Sequence, residues 1–455
     1  MAGLQSIILF VADPWESAMP QLRLVRPAYH ANVKVLCGYD RTQIYPERIE
    51  AADLVVIERD FPRIPGFDEV VAKARALHKP IVYETDDMLF EVPDSNIHHV
   101  TYQDALLKMM QAARLADAVV TSTPRLRDYL MQINPNTHLI PYFLDDSLWP
   151  LKENPAQSSA GEPVVIGYMG GHTHLADLES ITPALDEILE KYGGRVRLRF
   201  WGGPPPESLR THPQVDSVPL DILDYEKFAA YFSTQSCDIF VAPLKNDEFN
   251  QYKSHNKFLE YNSLGIPGVY SRCESYRHIV QEGVTGYLAD GQAEWVECLT
   301  QLIENSSLRQ EMGRQAQEEI KKNWRMSVRA TEWREVYEGI LSQYRQKPGR
   351  PEAGKDVILN LLGRAESYQS QLKNANFQLQ GRLQQAAEAA SSLQRKIDEQ
   401  DAYFSALKQT RSWKLIEKMQ NLRKTILPVG GNREAFVKSV VKKLTGLFAR
   451  KKPVS

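Results

Sequence analysis

The chain has 455 residues, 55 of them basic and 57 acidic, and 43% are hydrophobic. That length implies two or three domains, because single cores rarely grow past ~250–300 residues. The composition excludes collagen-like, mostly disordered and disulfide-dense small folds. No apolar run reaches the ~18–20 residues of a membrane-spanning helix, and residues 7–12 are too short and lack a basic flank for a secretory leader. Four dispersed cysteines, Cys37, Cys237, Cys273 and Cys298, read as reduced core thiols of a cytoplasmic protein. From Lys408 onward there are thirteen basic residues and two acidic ones, so a +11 tail follows a −13 body. Such a tail suits a negatively charged surface.

Residues 6–12 (SIILFVA) form a short continuous apolar run, as expected for a strand buried on both faces. A helical pattern follows at 17–31. Next come strand-like VKVLCGY and DLVVIER, helical FDEVVAKARALH and the strand PIVYETDD. Helix 105–115, strand 118–122, helix 124–131 and strand 137–140 complete a βα alternation. It predicts a doubly wound α/β domain over residues 1–150. Polar residues 152–163 read as a linker. The alternation then restarts with PVVIGYMGG, helix 178–192, VRLRFWGG, helix 228–235, CDIFVAPL, helix 254–264 and PGVYS, with helices to 346. A second Rossmann-like domain over 151–346 would face the first across a cleft, with ligands at the carboxyl ends of the strands.

After a break at 347–354 the pattern changes. Ile358, Leu361, Ala365, Tyr368, Leu372, Ala375 and Leu379 keep 3–4 spacing, and the seam continues through Leu383 and Leu393 to Leu407 in a shifted frame. Residues 355–410 are therefore expected to form a coiled coil that pairs with a second copy; a helix folded back on the body is the alternative. In the basic tail, 411–455, Phe436, Val440, Leu444, Leu447 and Phe448 fall on one helical stripe, which suits an anionic membrane. Nucleic acid is not expected, because no reading motif accompanies the charge.

The chemistry-bearing residues concentrate in PLKNDEFNQYKSHNKFLEYNSLGIPGVYS, which holds Lys245, Lys253, Ser254, Lys257, Glu260, Gly265 and Pro267. Glutamate on a helix, then small-x-Gly-x-Pro leading into a strand, resembles the donor-site segment of GT-B glycosyltransferases of the group-1, family-4-like clan. The following SRCESYRHIVQEGVTGYLAD resembles the clan's next strand and loop. IGYMGGHTHLADLESITPALDEIL, IVYETDDMLFEVP and HLIPYFLDDSLWP resemble further pieces in the same order. The KSxxKxxE form is similar to a bacterial subgroup that assembles surface polysaccharide.

The resemblance implies a metal-independent, cofactor-free, retaining transferase. It would move a sugar from a nucleotide-sugar donor to a growing, lipid-linked surface glycan. Such a site needs fixed cations and N–H donors where charge develops on the leaving nucleoside diphosphate. Gly170 and Gly171 let backbone approach a phosphate ahead of a helix start, beside Thr173. Lys253 and Lys257, spaced i, i+4, would face the diphosphate from one helix turn. Glu260 would accept bonds from two ribose hydroxyls, with Lys245 and Ser254 nearby. His174, at a helix start, would contact sugar or phosphate. The loop WGGPPP and the segment near Leu220 would contact the base. On the acceptor side, Arg23, Asp86 and Asp87 would face the cleft. Taken singly, each has a plainer reading: a turn for the glycines, a solvated face for the lysines, a loop cap for the aspartates.

Two positions depart from the family pattern. Tyr252 stands where many family-4 enzymes carry a glutamate, and HTHLADLES lacks the Arg and Lys usual after the first glycine turn. These departures keep open a catalytically degenerate scaffold that recruits other transferases. A nucleotide-sugar epimerase on the same fold is the other alternative.

Overall fold

The computed structural model describes residues 3–94, 96–151, 161–347, 356–426 and 432–448. Most of the linker read at 152–163 and the last seven residues of the tail lie outside the described residues. The chain divides into two compact units, residues 1–367 and 368–455.

The first unit holds two six-stranded sheets, each wholly parallel. In the first sheet, β1 (Ser6–Phe10), β2 (Lys34–Cys37), β3 (Leu54–Glu58), β4 (Ile81–Thr85), β5 (Ala118–Thr121) and β6 (Thr137–Leu139) run in the order β2-β1-β3-β4-β5-β6. In the second, β7 (Val164–Gly170), β8 (Val196–Gly202), β9 (Val215–Pro219), β10 (Ile239–Ala242), β11 (Gly268–Ser271) and β12 (Tyr287–Ala289) run in the order β12-β11-β10-β7-β8-β9. Helices cover both faces, so the central strands β1, β3 and β4 are apolar runs rather than alternations and are buried throughout. Strand order reverses between β1 and β3, and again between β7 and β10. A doubly wound sheet takes its ligand at such a reversal.

Local chemistry sets the helix starts. Thr123 Oγ1 accepts from Leu126 N ahead of Pro124, and Asp224 caps Tyr225–Phe232 through Lys227 N at 3.0 Å. The helical stretch 18–30 contains a π-helical segment, Gln21–Val25, just before Pro27, which has no N–H for the ladder.

Strands β9 and β12 are additions to the elements read from sequence. The helix Met326–Gln346 is a correction to the expected boundary of the second domain. Its buried face (Met326, Ala330, Trp333, Tyr337, Ile340 and Leu341) packs with Ile7, Leu9, Leu24 and Val56 of the first domain. Trp333 Nε1 donates to Arg23 O at 3.2 Å, and Arg334 donates to Ala31 O and Leu4 O at 2.7 and 2.9 Å. The crossing back is made where Leu144 N donates to Trp324 O and Met326 N to Leu144 O, at 2.9 and 2.7 Å.

An unbroken 53-residue helix, Val357–Gln409, carries the expected 3–4 seam. In the second unit Leu372, Leu379, Leu383 and Leu393 are all exposed. Helices Arg411–Ile426 and Asn432–Phe448 follow. Leu415, Ile416, Met419 and Leu422 are exposed on the first, and Phe436 on the second. The side chains of Leu444, Leu447 and Phe448 lie outside the described residues. No helix among the described residues is long and apolar enough to cross a membrane.

Candidate active site

Two chambers open at the carboxyl ends of the two sheets. The larger, about 510 Å³, is lined by Gly170 at the end of β7 and Gly171 after it, Trp201 and Gly202 at the end of β8, and Leu220, Ile222, Tyr225 and Phe228. Lys257 and Glu260 line it from the helix Asn256–Ser263, and Asp13 and Met19 from the first domain. The smaller, about 390 Å³, lies between Asp13, Arg59, Asp87 and Tyr102 of the first domain and His172, Thr173, Phe249 and Lys253 of the second.

The larger chamber has an apolar, aromatic wall and a charged end. Glycine is required at its rim: Gly202 has φ +97°, and a Cβ there would sit 2.5 Å from Gly170 O. Glu260 is buried, and its Oε1 accepts from Asn256 Nδ2 at 2.9 Å and Tyr225 Oη at 3.3 Å. Burial pushes its carboxyl up to about 7, with Lys257 and the two hydrogen bonds opposing. Lys257 lies over the Tyr168 ring at 5.7 Å, and burial draws its ammonium down.

Of the expected donor residues, Gly170, Gly171, Lys257 and Glu260 come together in this chamber. Others go elsewhere. Lys253 is outside the helix, in extended backbone (φ −68°, ψ 151°) after the turn Phe249–Tyr252. It therefore does not share a helix turn with Lys257. Its Nζ reaches Asp87 Oδ2 of the first domain at 3.4 Å and lies over the Phe249 ring. Thr173 lines the smaller chamber instead. Lys245 has an exposed side chain and contributes its backbone N–H, which donates to Asp177 Oδ1 at 2.8 Å. Ser254 lies in the loop between Lys253 and the helix and lines neither chamber.

His174 also lines neither chamber. It closes the short 3-10 turn His172–His174 and precedes a helix of only five residues, Leu175–Glu179, so little helix dipole reaches the glycines. Its Nδ1 lies 2.8 Å from Asp177 Oδ2. Burial first, then Lys257, lowers the imidazole to about 4 against the Asp177 bond, so the ring is neutral near pH 7. Asp177 is a buried hub that also accepts from Asn250 Nδ2 at 2.8 Å.

On the acceptor side, Asp87 lines the smaller chamber, and Arg23 and Asp86 do not. Arg23 is buried, with Nη2 2.7 Å from Glu84 Oε1 and Nη1 donating to Ile140 O at 2.6 Å. Asp86 is held by Arg59 through two bonds of 2.6 and 2.8 Å and accepts from Tyr142 Oη at 2.5 Å. Arg59 and Tyr142 keep the Asp86 carboxyl below its ordinary range despite burial. The register of β3 and β4 pairs Glu58 with Glu84, and burial raises both carboxyls, Glu84 to about 7. Arg23 and Asp86 thus belong to a buried ionic layer beneath the site.

Tyr252 is buried among first-domain residues. Its ring meets Tyr129 edge-on at 6.1 Å, Arg125 lies over it at 5.0 Å, and its carbonyl accepts from Thr123 Oγ1 at 3.1 Å. The position expected to hold a glutamate is therefore an interdomain plug.

Sequence reasoning missed Asp13, Arg59, Tyr225 and Phe228. The available signal was positional: Asp13 and Arg59 follow the first and third strands, where the strand order reverses.

Residues 163–305 match the family model described as Glycosyl transferases group 1. D-inositol 3-phosphate glycosyltransferase of Corynebacterium urealyticum is 24% identical over 215 residues, 44% of this chain and 47% of that protein. The match thus spans about half the length of that curated relative. Among solved structures, Anabaena HepE in complex with UDP-glucose superposes with a TM-score of 0.52 at 14% identity, covering 74% of this chain and all of that one. Sucrose-phosphate synthase from Thermosynechococcus elongatus gives 0.54 at 14% identity over the same shares. The fold is GT-B, two parallel α/β domains facing a cleft, as expected from sequence. The match to the group 1 model lies within the second domain.

Proposed function

We propose that the protein is a glycosyltransferase that takes a nucleotide sugar in the larger chamber and an acceptor in the smaller one. The observation that carries this is the polarity of the larger chamber. One wall offers aromatic faces at Tyr225 and Phe228 for a base, Glu260 offers a buried carboxylate for ribose hydroxyls, and Lys257 with the 170–171 backbone offers the positive end for a diphosphate. Developing charge on the leaving group would be met by fixed donors in a partly desolvated site. The UDP-glucose of HepE supports a uridine nucleotide as the first donor to test. Retention of configuration and independence of metal follow from the family resemblance.

The acceptor in this reading is a growing surface glycan carried on lipid. The long helix pairs two copies through its exposed seam, and the basic helices after it meet the anionic inner face of the membrane. Both features keep the enzyme beside a membrane-held acceptor and raise its effective concentration.

Thermal melting in the presence of UDP-, GDP-, dTDP- and CMP-sugars tests the reading, because a ligand that binds only the folded state raises the melting point. One nucleotide class should stabilise strongly. No shift with any of them, together with no turnover, would remove the transferase reading.

A further inference from the structure

We propose that Asp13 anchors the acceptor hydroxyl that is glycosylated, a role that rests on the transferase reading above. Transfer requires the donor's anomeric carbon and the acceptor oxygen within about 3–3.5 Å of each other. The two substrates must therefore meet where the chambers join. Among the residues lining the two chambers, one side chain is common to both, and it is Asp13.

Its place in the fold agrees. Asp13 follows β1 and Arg59 follows β3, the two strands between which the first sheet reverses its order. Gly171 follows β7 at the reversal of the second sheet. Both sheets thus aim their ligand-binding ends at this junction.

The carboxylate is half fixed and half available. Asp13 Oδ2 accepts from Arg59 Nη1 at 3.2 Å, and the side chain is 37% exposed. No bond to Asp13 Oδ1 occurs among the described residues. Arg59 is itself immobilised: Asp86 takes two of its nitrogens, and Tyr83 Oη donates to its carbonyl at 2.8 Å. Its backbone sits at φ 42°, a left-handed position that a non-glycine residue holds only under constraint. The ionic layer below the site therefore sets the direction of Asp13.

Charge decides which substrate Asp13 meets. A diphosphate is drawn to Lys257 and the 170–171 backbone and repelled by a carboxylate. The sugar end of the donor and the incoming hydroxyl then fall beside Asp13. In the transfer the bond from the anomeric carbon to the diphosphate oxygen breaks and a bond to the acceptor oxygen forms. Before transfer Asp13 accepts the hydrogen bond of that hydroxyl and orients it. As the bond to the diphosphate breaks, the one hydroxyl proton turns from Asp13 to the departing oxygen, and Asp13 ends unprotonated.

The test uses the full-length protein, the donor found by melting, and octyl glycosides of glucose, galactose, mannose and N-acetylglucosamine as acceptor probes. Asp13→Ala and Asp13→Asn should lower acceptor kcat/KM by about 10–100-fold, the scale of one lost bond to a charged group. The affinity for the nucleoside diphosphate should stay within about three-fold of the parent in calorimetry. That second readout separates anchoring from misfolding. Equal transfer by parent and Asp13→Asn would overturn the proposal, and so would a matching loss of nucleotide affinity. A product of inverted anomeric configuration would also overturn it, because Asp13 would then be the base of an in-line displacement. If the parent neither transfers to any probe nor hydrolyses any donor, the failure belongs to the transferase reading and not to Asp13 alone.

Discussion

Lys253 Nζ lies 3.4 Å from Asp87 Oδ2, and the two residues belong to different domains. Lys257, only four residues on, lines the other chamber. Two lysines equivalent by spacing therefore line different chambers. Lys257→Ala should weaken nucleoside diphosphate binding by about 10–100-fold, and Lys253→Ala should leave it within about three-fold in calorimetry. The Lys253–Asp87 pair is partly exposed, so a double-mutant cycle on melting should give a coupling of about 0.2–1 kcal/mol.

Glu260 supplies a pH signature. Its folded carboxyl stands at about 7, above the ordinary carboxylate value, because it is buried. The folded state thus holds a proton that the unfolded chain releases at lower pH. Without ligand, this group's contribution to stability falls as pH rises from the ordinary value towards 7. Ribose hydroxyls donate to the ionised form, so donor affinity should rise through pH 7 and level off above it. Glu260→Gln should flatten that profile and lower affinity, as followed by calorimetry from pH 5.5 to about 8.5.

Tyr252 joins the two domains, so its loss should loosen them. Tyr252→Ala should cost about 3–5 kcal/mol, the usual range for emptying a buried aromatic site. Tyr252→Glu, which installs the glutamate of the family-4 pattern this segment resembles, should destabilise at least as much. It would bury a carboxylate beside Tyr129. Thermal melting, with scattering to follow cleft opening, checks both.

The long helix spans about 80 Å if straight. Its exposed seam predicts a dimer by sedimentation. Leu372→Glu with Leu379→Glu should yield monomers with an unchanged melting point for the two-domain body, since both side chains are exposed. A monomeric parent chain would refute the pairing.

Liposome flotation tests the basic helices. Binding should need anionic lipid, weaken as salt rises and fall when Leu415 and Met419 are both changed to Ser, because apolar burial and charge act together. Equal recovery on neutral and anionic vesicles would remove the electrostatic part.

Much of the fold was legible because buried parallel strands are written as unbroken apolar runs, and SIILFVA, DLVVIER and CDIFVAPL became β1, β3 and β10. Strand β9 escaped because VDSVP is polar and sits at a sheet edge. The helix Met326–Gln346 was legible as a helix but not as part of the first domain, since an apolar stripe does not say which core it fills. Order and spacing singled out Gly170, Gly171, Lys257 and Glu260, and these four line one chamber. Arg23 and Asp86 were misplaced for a physical reason. An ion pair that satisfies both partners leaves no sequence trace, and here Glu84 and Arg59 hold them. Asp13 was missed because a lone aspartate after a strand has no pattern; its meaning comes from where two chambers touch.

The crossing at Leu144 and Met326 has a consequence for the evolution and engineering of the chain. The backbone leaves the first domain at Leu144 and returns at Met326, where the two are hydrogen-bonded side by side. The second domain is thus a detour with adjacent entry and exit points, which also lends Tyr252 to the core of its host. Splicing residue 144 to residue 326 through a few glycines would close the host backbone without stretching it, leaving the site of Tyr252 to be refilled. A foreign domain whose own termini lie close together could be grafted at the same port.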